Sequence, residues 1–412
     1  MGQNKCRVCG HRFMKEPLLS YESMPKVAQF LPDAKNLERD RGVDLEICQC
    51  SGCGLVQLSN DPVPYFRQVV RAAAVSKEMH EFRTKQFSEF AQKFSLKGKK
   101  IIEIGCGRGE FLAILQDAGM DAYGIEDSKE AVAWCVGEGL NVSKGFMENE
   151  NSRIDHGPFA AFCILNFLEH LSEPNLVLRG ICSNLSDNAV GLVEVPNFDM
   201  IVRKNLFSEF TTDHLFYFTK GTLETTLRLN GFEIIEISEV WHDYIISVVV
   251  RKRGRLDLSL FSEKRNQLKM ELEEYIGKFR EGKVAVWGAG HQALAVLALA
   301  GLAGKIRYVV DSAVFKQGKY TPATHIPIVS PETLVSDPVD AVIVMAASYS
   351  DEVARIIRQK YARDTSVSIL RDFGLEDIDI MKSSTSIVGL KMKGSPRHPV
   401  SGRKSLPKKG RE

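Results

Sequence analysis

Two pairs of cysteines and one run of closely spaced glycines carry most of the chemical content of this protein. Cys6-Arg-Val-Cys9 and Cys50-Ser-Gly-Cys53 are C-x-x-C knuckles, each followed by a glycine, Gly10 and Gly54. Two thiolates at that spacing can grip one tetrahedral ion from a tight turn, and two such turns complete a Cys₄ zinc shell. Four protein thiolates leave no open position for water or substrate, so the metal reads as structural. The stretch between the pairs is longer than in common zinc ribbons, which predicts a sub-domain looped out between them. Cys48 lies close to the second pair and could stand in for Cys50. The bland alternative is four unrelated buried thiols. The later cysteines, Cys106, Cys135, Cys163 and Cys182, fall in apolar segments and read as small buried hydrophobes.

Ile101 to Leu112 runs from an apolar strand into Gly105-x-Gly107-x-Gly109 and then into an amphipathic helix. Glycines there let the backbone approach a bound ligand at a helix N-terminus. Alone, such a turn fits NAD or FAD as well as other cofactors. Three further features point to S-adenosylmethionine (SAM). Glu103 precedes the turn, where its carboxylate can orient it and reach the methionine ammonium. Glu126 ends the next strand, where an acid can accept both ribose hydroxyls. Leu165-Asn-Phe-Leu-Glu-His-Leu-Ser-Glu-Pro174 matches the motif after the fourth strand of class I methyltransferases, in which Asn166 and Phe167 border the cofactor.

The elements that must position these residues follow from pattern. Met79, Phe82, Phe87, Phe90 and Phe94 recur at helical spacing within a stretch from Pro62 to Phe94. Strand-like runs at 100–104, 122–125, 160–165 and 191–195 alternate with helical patterns, predicting a parallel sheet covered on both faces. Runs at 232–237 and 245–251 read as a closing antiparallel pair. Residues 256–282 form a charged helical connector. A second glycine turn, Gly288-Ala-Gly290-His291-Gln292, then opens a smaller strand–helix series through 308–311, 341–345 and 367–370. The expected organisation is a zinc-binding domain at 1–58, a SAM-dependent domain at 59–255, the connector, and a Rossmann-like α/β domain at 283–375. Residues 376–412 form a tail, basic toward its end and expected to be disordered, with eight Lys/Arg against one Glu from Lys391 onward.

The protein has 412 residues, enough for two or three cores, and its formal charge of +2 demands neither nucleic acid nor an anionic membrane as partner. The N-terminus lacks an apolar signal core and no run approaches a bilayer span, so a cytoplasmic protein is expected. Oligomeric state is not legible.

The sequence resembles bacterial sugar C-methyltransferases that act on nucleotide-linked keto-deoxysugars. Four patches carry the resemblance, which extends to about residue 375. They are the knuckles with Cys53-Gly-Leu-Val-Gln-Leu58; the SAM turn; Glu194-Val-Pro-Asn197 with Asp213-His214-Leu-Phe-Tyr-Phe218; and Tyr308–Asp311 with Lys316–Pro322 and Thr324–Ile328. The family's central Tyr-His-Glu-His-Leu-x-Tyr-Phe reads here as Thr211, Thr212, Asp213, His214, Leu215, Phe216, Tyr217 and Phe218. Its usual His-Gly-Gly-Ser stretch is Trp241–Ser247, a glycine is replaced by Ala323, and a Trp-Asn element by Ala346–Ser350. These departures bear on the acceptor, not on the methyl donor.

The resemblance implies a class I methyltransferase core between a zinc domain and a Rossmann-like domain. Methylation of carbon beside a ketone needs loss of an α-proton, and histidine suits that transfer. His214 is then the leading general base, Asp213 its polar partner or a sugar contact, and His170 a second candidate beside the developing enolate oxygen. Asp213-His214 could instead cap and brace a lid segment. The C-terminal domain would help hold the nucleotide-sugar through Lys316, Lys319 and His325. O- or N-methylation of a related sugar, or a zinc-ribbon scaffold with a remnant SAM pocket, are the alternatives.

Overall fold

The computed structural model describes residues 3–26, 31–67, 75–361 and 364–378. The protein divides into two compact units, one through Arg255 and one from Leu256. Of the expected tail at 376–412, residues 376 and 377 lie in the last strand and those beyond 378 lie outside the described residues.

The first unit opens with β1 (Leu19–Met24), β2 (Val43–Gln49) and β3 (Val56–Leu58), followed by α1 (Lys77–Lys93). Helix begins at Lys77 and not at Pro62, because the Ser76 hydroxyl caps it by accepting from the Met79 N–H at 3.1 Å. Then come β4 (Lys100–Ile104), α2 (Glu110–Asp117), β5 (Asp121–Glu126), α3 (Lys129–Gly137), β6 (Asn141–Lys144), β7 (Phe159–Leu165), α4 (Pro174–Ser183) and β8 (Leu185–Pro196). The unit closes with α5 (Phe198–Arg203), β9 (Phe216–Tyr217), α6 (Lys220–Leu229), β10 (Phe232–Val240) and β11 (Ile245–Lys252).

Seven strands form one sheet in the order β10-β11-β8-β7-β4-β5-β6. β6, β5, β4, β7 and β8 are mutually parallel, while β11 runs antiparallel to both its neighbours. Alternate residues of the central strands face opposite ways. Ile102, Ile104, Phe162 and Ile164 enter one core, and Ile101, Ala161, Cys163 and Leu165 enter the other, against Phe87, Phe90 and Phe111 of α1 and α2. Because the backbone passes from β4 to β5 on one side and reaches β7 on the other, a crevice opens at the carboxyl ends of these strands. That is where ligands sit in doubly wound sheets.

A second sheet, β1-β2-β3-β9, draws three strands from the expected N-terminal zinc-binding region and one from beyond it. Its fourth strand comes from the Asp213–Phe218 segment, with Val56 opposite Tyr217 and Gln57 opposite Phe216. Leu45, Ile47, Val56 and Leu58 share a core with Phe198, Met200, Phe210 and Tyr217, and Cys6, Val8, Cys50 and Leu55 join a core of the large sheet.

The second unit holds α7 (Ser259–Gly277), β12 (Val284–Trp287), α8 (His291–Leu299), β13 (Val309–Val310), β14 (Ile328–Val329), α9 (Thr333–Ser336), β15 (Ala341–Val344), α10 (Ser350–Ile356), β16 (Ser366–Arg371) and β17 (Gly374–Asp377). Its sheet runs β14-β13-β12-β15-β16-β17, parallel except for β17, the order of a Rossmann fold. α7 is not a free connector, since Leu272 and Tyr275 are buried with Val284, Val286 and Leu297. Among the described residues no helix is long and apolar enough to cross a membrane.

One buried ion pair ties α1 to the large sheet. Arg83 and Glu194 are both fully buried and directly bonded, Gln86 donates to the other Glu194 oxygen at 2.6 Å, and the guanidinium lies 4.7 Å from the Phe111 ring centroid. Removing one partner of such a pair leaves an uncompensated buried charge, which costs about 3–5 kcal/mol. Arg83→Met should therefore lose that much in urea unfolding, and Arg83→Met with Glu194→Leu should lose less than the single variant.

Candidate active site

The glycine turn after β4 has a backbone that only glycine adopts cheaply. Gly105, Gly107 and Gly109 have φ of 68°, 56° and 79°. A Cβ on Gly105 would lie 2.5 Å from the Phe167 ring, and one on Gly109 would lie 2.4 Å from Leu140. Glu126, at the end of β5, accepts from the Gly107 N–H at 3.1 Å and the Ser128 N–H at 2.9 Å. Burial raises its pKa against the pull of these amides. Glu103 is buried on β4, in register between Gly124 and Cys163. Asn166 follows β7 with φ of 49° and donates its N–H to the Glu194 carbonyl at 2.9 Å. The structure thus brings Glu103, the three glycines, Glu126, Asn166 and Phe167 to the carboxyl ends of three adjacent strands. An acid beside a cradle with no room for a Cβ fits the ribose end of SAM.

The two histidines meet beside it. His170 follows β7 in a short 3₁₀ turn, and His214 precedes β9; their rings lie 4.8 Å apart, edge to face at 79°. His170 Nδ1 is 2.8 Å from the Asp213 carbonyl oxygen, which makes Nδ1–H the donor and leaves Nε2 with a lone pair. Burial lowers the pKa of both rings, His214 to about 3 with a further push from His170. Asp213 turns its carboxylate elsewhere, accepting from the Tyr65 hydroxyl at 2.8 Å. Tyr217 bonds Thr211 through its hydroxyl and packs on Phe210, a structural role.

Two residues of the site carry no signal of their own in the sequence. Glu169 reads there only as part of the motif after the fourth strand, yet it is fully buried beside His170, and burial lifts its carboxyl to about 8. Tyr65 stands ahead of the recurring Met79–Phe94 residues, and folding alone brings it to Asp213.

The four knuckle cysteines converge, with Cys6 Sγ 3.7 Å from Cys53 Sγ and Cys9 Sγ 3.3 Å from Cys50 Sγ. Backbone N–H groups of Val8, Gly52 and Cys53, and the Gln57 amide, point at the sulfurs, as thiolates bound to a metal require. Cys48 lies outside the cluster, on β2 opposite Gln57, and does not replace Cys50.

In the second unit, Asp311 follows β13 beside the turn at Gly288. Its carboxylate accepts from the Ala289 N–H at 2.9 Å, the Ala313 N–H at 2.9 Å and the Lys316 ammonium at 2.8 Å. Lys316 also donates to the Ala289 carbonyl at 3.1 Å. The position a dinucleotide's ribose would use is therefore already filled by the protein's own groups, and Lys316 is committed to Asp311. Lys319 and His325 lie on the loop between β13 and β14, Lys319 exposed and His325 exposed.

Residues 77–237 match the model of a methyltransferase domain, and residues 257–369 that of the C-methyltransferase C-terminal domain. The C-methyltransferase NovU of Streptomyces niveus is 24% identical over 383 residues, covering 85% of this protein and 91% of NovU. Among solved structures, magnesium protoporphyrin IX methyltransferase of Synechocystis PCC 6803, with SAH bound, is 15% identical with a TM-score of 0.36, covering 46% of this protein and 91% of its own length. PH0226 of Pyrococcus horikoshii OT3 is 14% identical with a TM-score of 0.38, covering 46% and 99%. The protein is a SAM-dependent methyltransferase with the class I sheet. Over most of its length it is similar to the C-methyltransferase NovU, and residues 257–369 match the C-methyltransferase C-terminal domain.

Gly105→Ala would force a side chain into the left-handed region and against Phe167, at about 1–2 kcal/mol for the backbone alone. The SAM dissociation constant, read by calorimetry, should rise by about tenfold. A value within twofold of wild type would remove this turn from the cofactor contact.

Proposed function

We propose that this protein methylates carbon in a nucleotide-linked keto-deoxysugar, with His214 removing the proton on the carbon beside the ketone. The observation that carries this reading is the pair of close, uncharged imidazoles, one on the loop after β7 and one before β9, next to the SAM turn. An oxygen or nitrogen acceptor needs only a base, whereas carbon needs a base and stabilisation of the enolate that its proton loss creates. Bound SAM supplies a methyl group already activated by its sulfonium.

His214 is unprotonated throughout the neutral range and so is free to accept. Burial opposes the arriving proton, and Glu169 offsets that cost: positive charge on either imidazole favours ionisation of the carboxyl beside it. The three groups therefore handle a proton as a coupled set. His170, with Nδ1 tied to the Asp213 carbonyl, faces its other nitrogen toward the cluster. Asp213 acts through its backbone and through Tyr65, as a positioning residue.

The sugar assignment rests on the resemblance of the Tyr308–Ile328 patches, with Lys319 and His325 as exposed candidates for phosphate or sugar contact. Lys316 would have to leave Asp311 to join them. We further assign the Cys₄ cluster to structural Zn²⁺, which its donor set and converging N–H groups favour.

His214→Asn should lower turnover by about 10²–10⁴-fold while leaving SAM affinity near normal. Deuterium exchange beside the ketone, followed by NMR without SAM, should vanish with it; exchange at the wild-type rate in the variant would end the base role. Chelation should speed hydrogen exchange at the amides of Val56–Leu58 and Leu215–Phe218 together, since β3 pairs with β9. Acceleration confined to the knuckles would show that the metal does not brace this sheet.

A further inference from the structure

Glu169, His170 and His214 form a second group with the donors and spacing of a metal shell. One carboxylate oxygen and two ring nitrogens all lie within 4.8 Å of one another. His170 Nε2 and Glu169 Oε1 are 3.9 Å apart, too far for a hydrogen bond and a few tenths of an ångström wider than the roughly 3.3–3.6 Å between two tetrahedral ligands of one ion, so small side-chain rotations would bring them onto it. The bond from His170 Nδ1 to the Asp213 carbonyl at 2.8 Å is the outer contact that metal-bound histidines use to fix their tautomer. Glu169 Oε2 is the independent pointer to a ligand. It is fully buried, with the residue 1% exposed, and has no hydrogen-bond partner among the described residues. A buried carboxyl oxygen with no hydrogen-bond partner is costly, and a cation bound to it would offset that cost.

We propose that Glu169, His170 and His214 bind a borderline divalent cation of the zinc class, and that filling this site silences the proton-transfer pair. Two imidazoles and one carboxylate suit zinc or cobalt and do not suit magnesium or calcium, which take oxygen shells. Three protein ligands leave a fourth position open, unlike the closed Cys₄ cluster. The His170 side chain is 20% exposed, which gives a cation a way in. The cation bonds through the same nitrogen lone pairs that would accept the substrate proton, so metal and proton compete. The silencing rests on the base role proposed for His214; the cation site does not.

The test uses the full-length protein with its cysteine shell filled by Zn²⁺, titrated with Co²⁺ alone. Wild type should take up one further equivalent, giving cobalt d–d bands without thiolate charge-transfer bands. Glu169→Gln and His214→Gln should each weaken that uptake at least about tenfold, with circular dichroism confirming that each variant is folded. No further equivalent in wild type, or variants that bind as wild type does, would overturn the site. Methyl transfer should fall as the second equivalent binds and return on brief chelation that spares the cysteine shell. Uptake with turnover unchanged or raised would leave the cation site standing and overturn the silencing, and with it the base role of His214.

Discussion

The peptide groups of Leu215 hold three distant parts of the sequence together. The Leu215 N–H donates to the Glu169 carbonyl at 2.8 Å, and its carbonyl accepts from the Leu58 N–H at 3.0 Å. One residue thus joins the loop after β7, the segment carrying His214, and the strand that follows the cysteine knuckles. His170 and His214 meet because this junction is made, and the knuckles lie one strand from the site because β3 is its outer partner. Backbone bonds suit the task, since a buried amide or carbonyl left without a partner is costly and the junction has no cheap alternative.

Around that junction the site is largely buried and crowded with ionisable groups, and burial is the dominant influence on the two imidazoles, Glu169 and Glu126. It depresses the imidazoles, lifts Glu169 and raises Glu126. Arg83 and Glu194, also buried, pair directly, with Gln86 completing the carboxylate's bonds. A paired charge braces the scaffold, and groups without such a partner remain available for proton or cation.

The two glycine turns show how the same local geometry takes different roles. After β4, Glu126 spends its oxygens on amides of the turn and the next helix, an arrangement that fits the ribose end of SAM. After β12, Asp311 holds a comparable position but also binds Lys316, which reaches across to the Ala289 carbonyl. A lysine of the protein itself supplies the positive charge there, and the Rossmann order of strands persists without an open acid for a ribose.

Much of this molecule was legible in the sequence wherever the governing physics is local. Left-handed φ demands glycine at 105, 107 and 109, two-residue spacing lets cysteines face one ion, and apolar runs mark β4, β7, β8 and β11. Short strands such as β6 and β14 bury too few residues to leave a pattern. Tertiary structure alone decided that β9 completes the N-terminal sheet, that Tyr65 reaches Asp213, that Cys48 stays outside the cluster, and that Glu169 joins two histidines. These pairings close loops of tens to hundreds of residues, and what selects them is the summed burial of whole sheets rather than any neighbouring residue. Residue types therefore announced the methyl donor, and only the packing of distant segments made a chemical group of Glu169, His170 and His214.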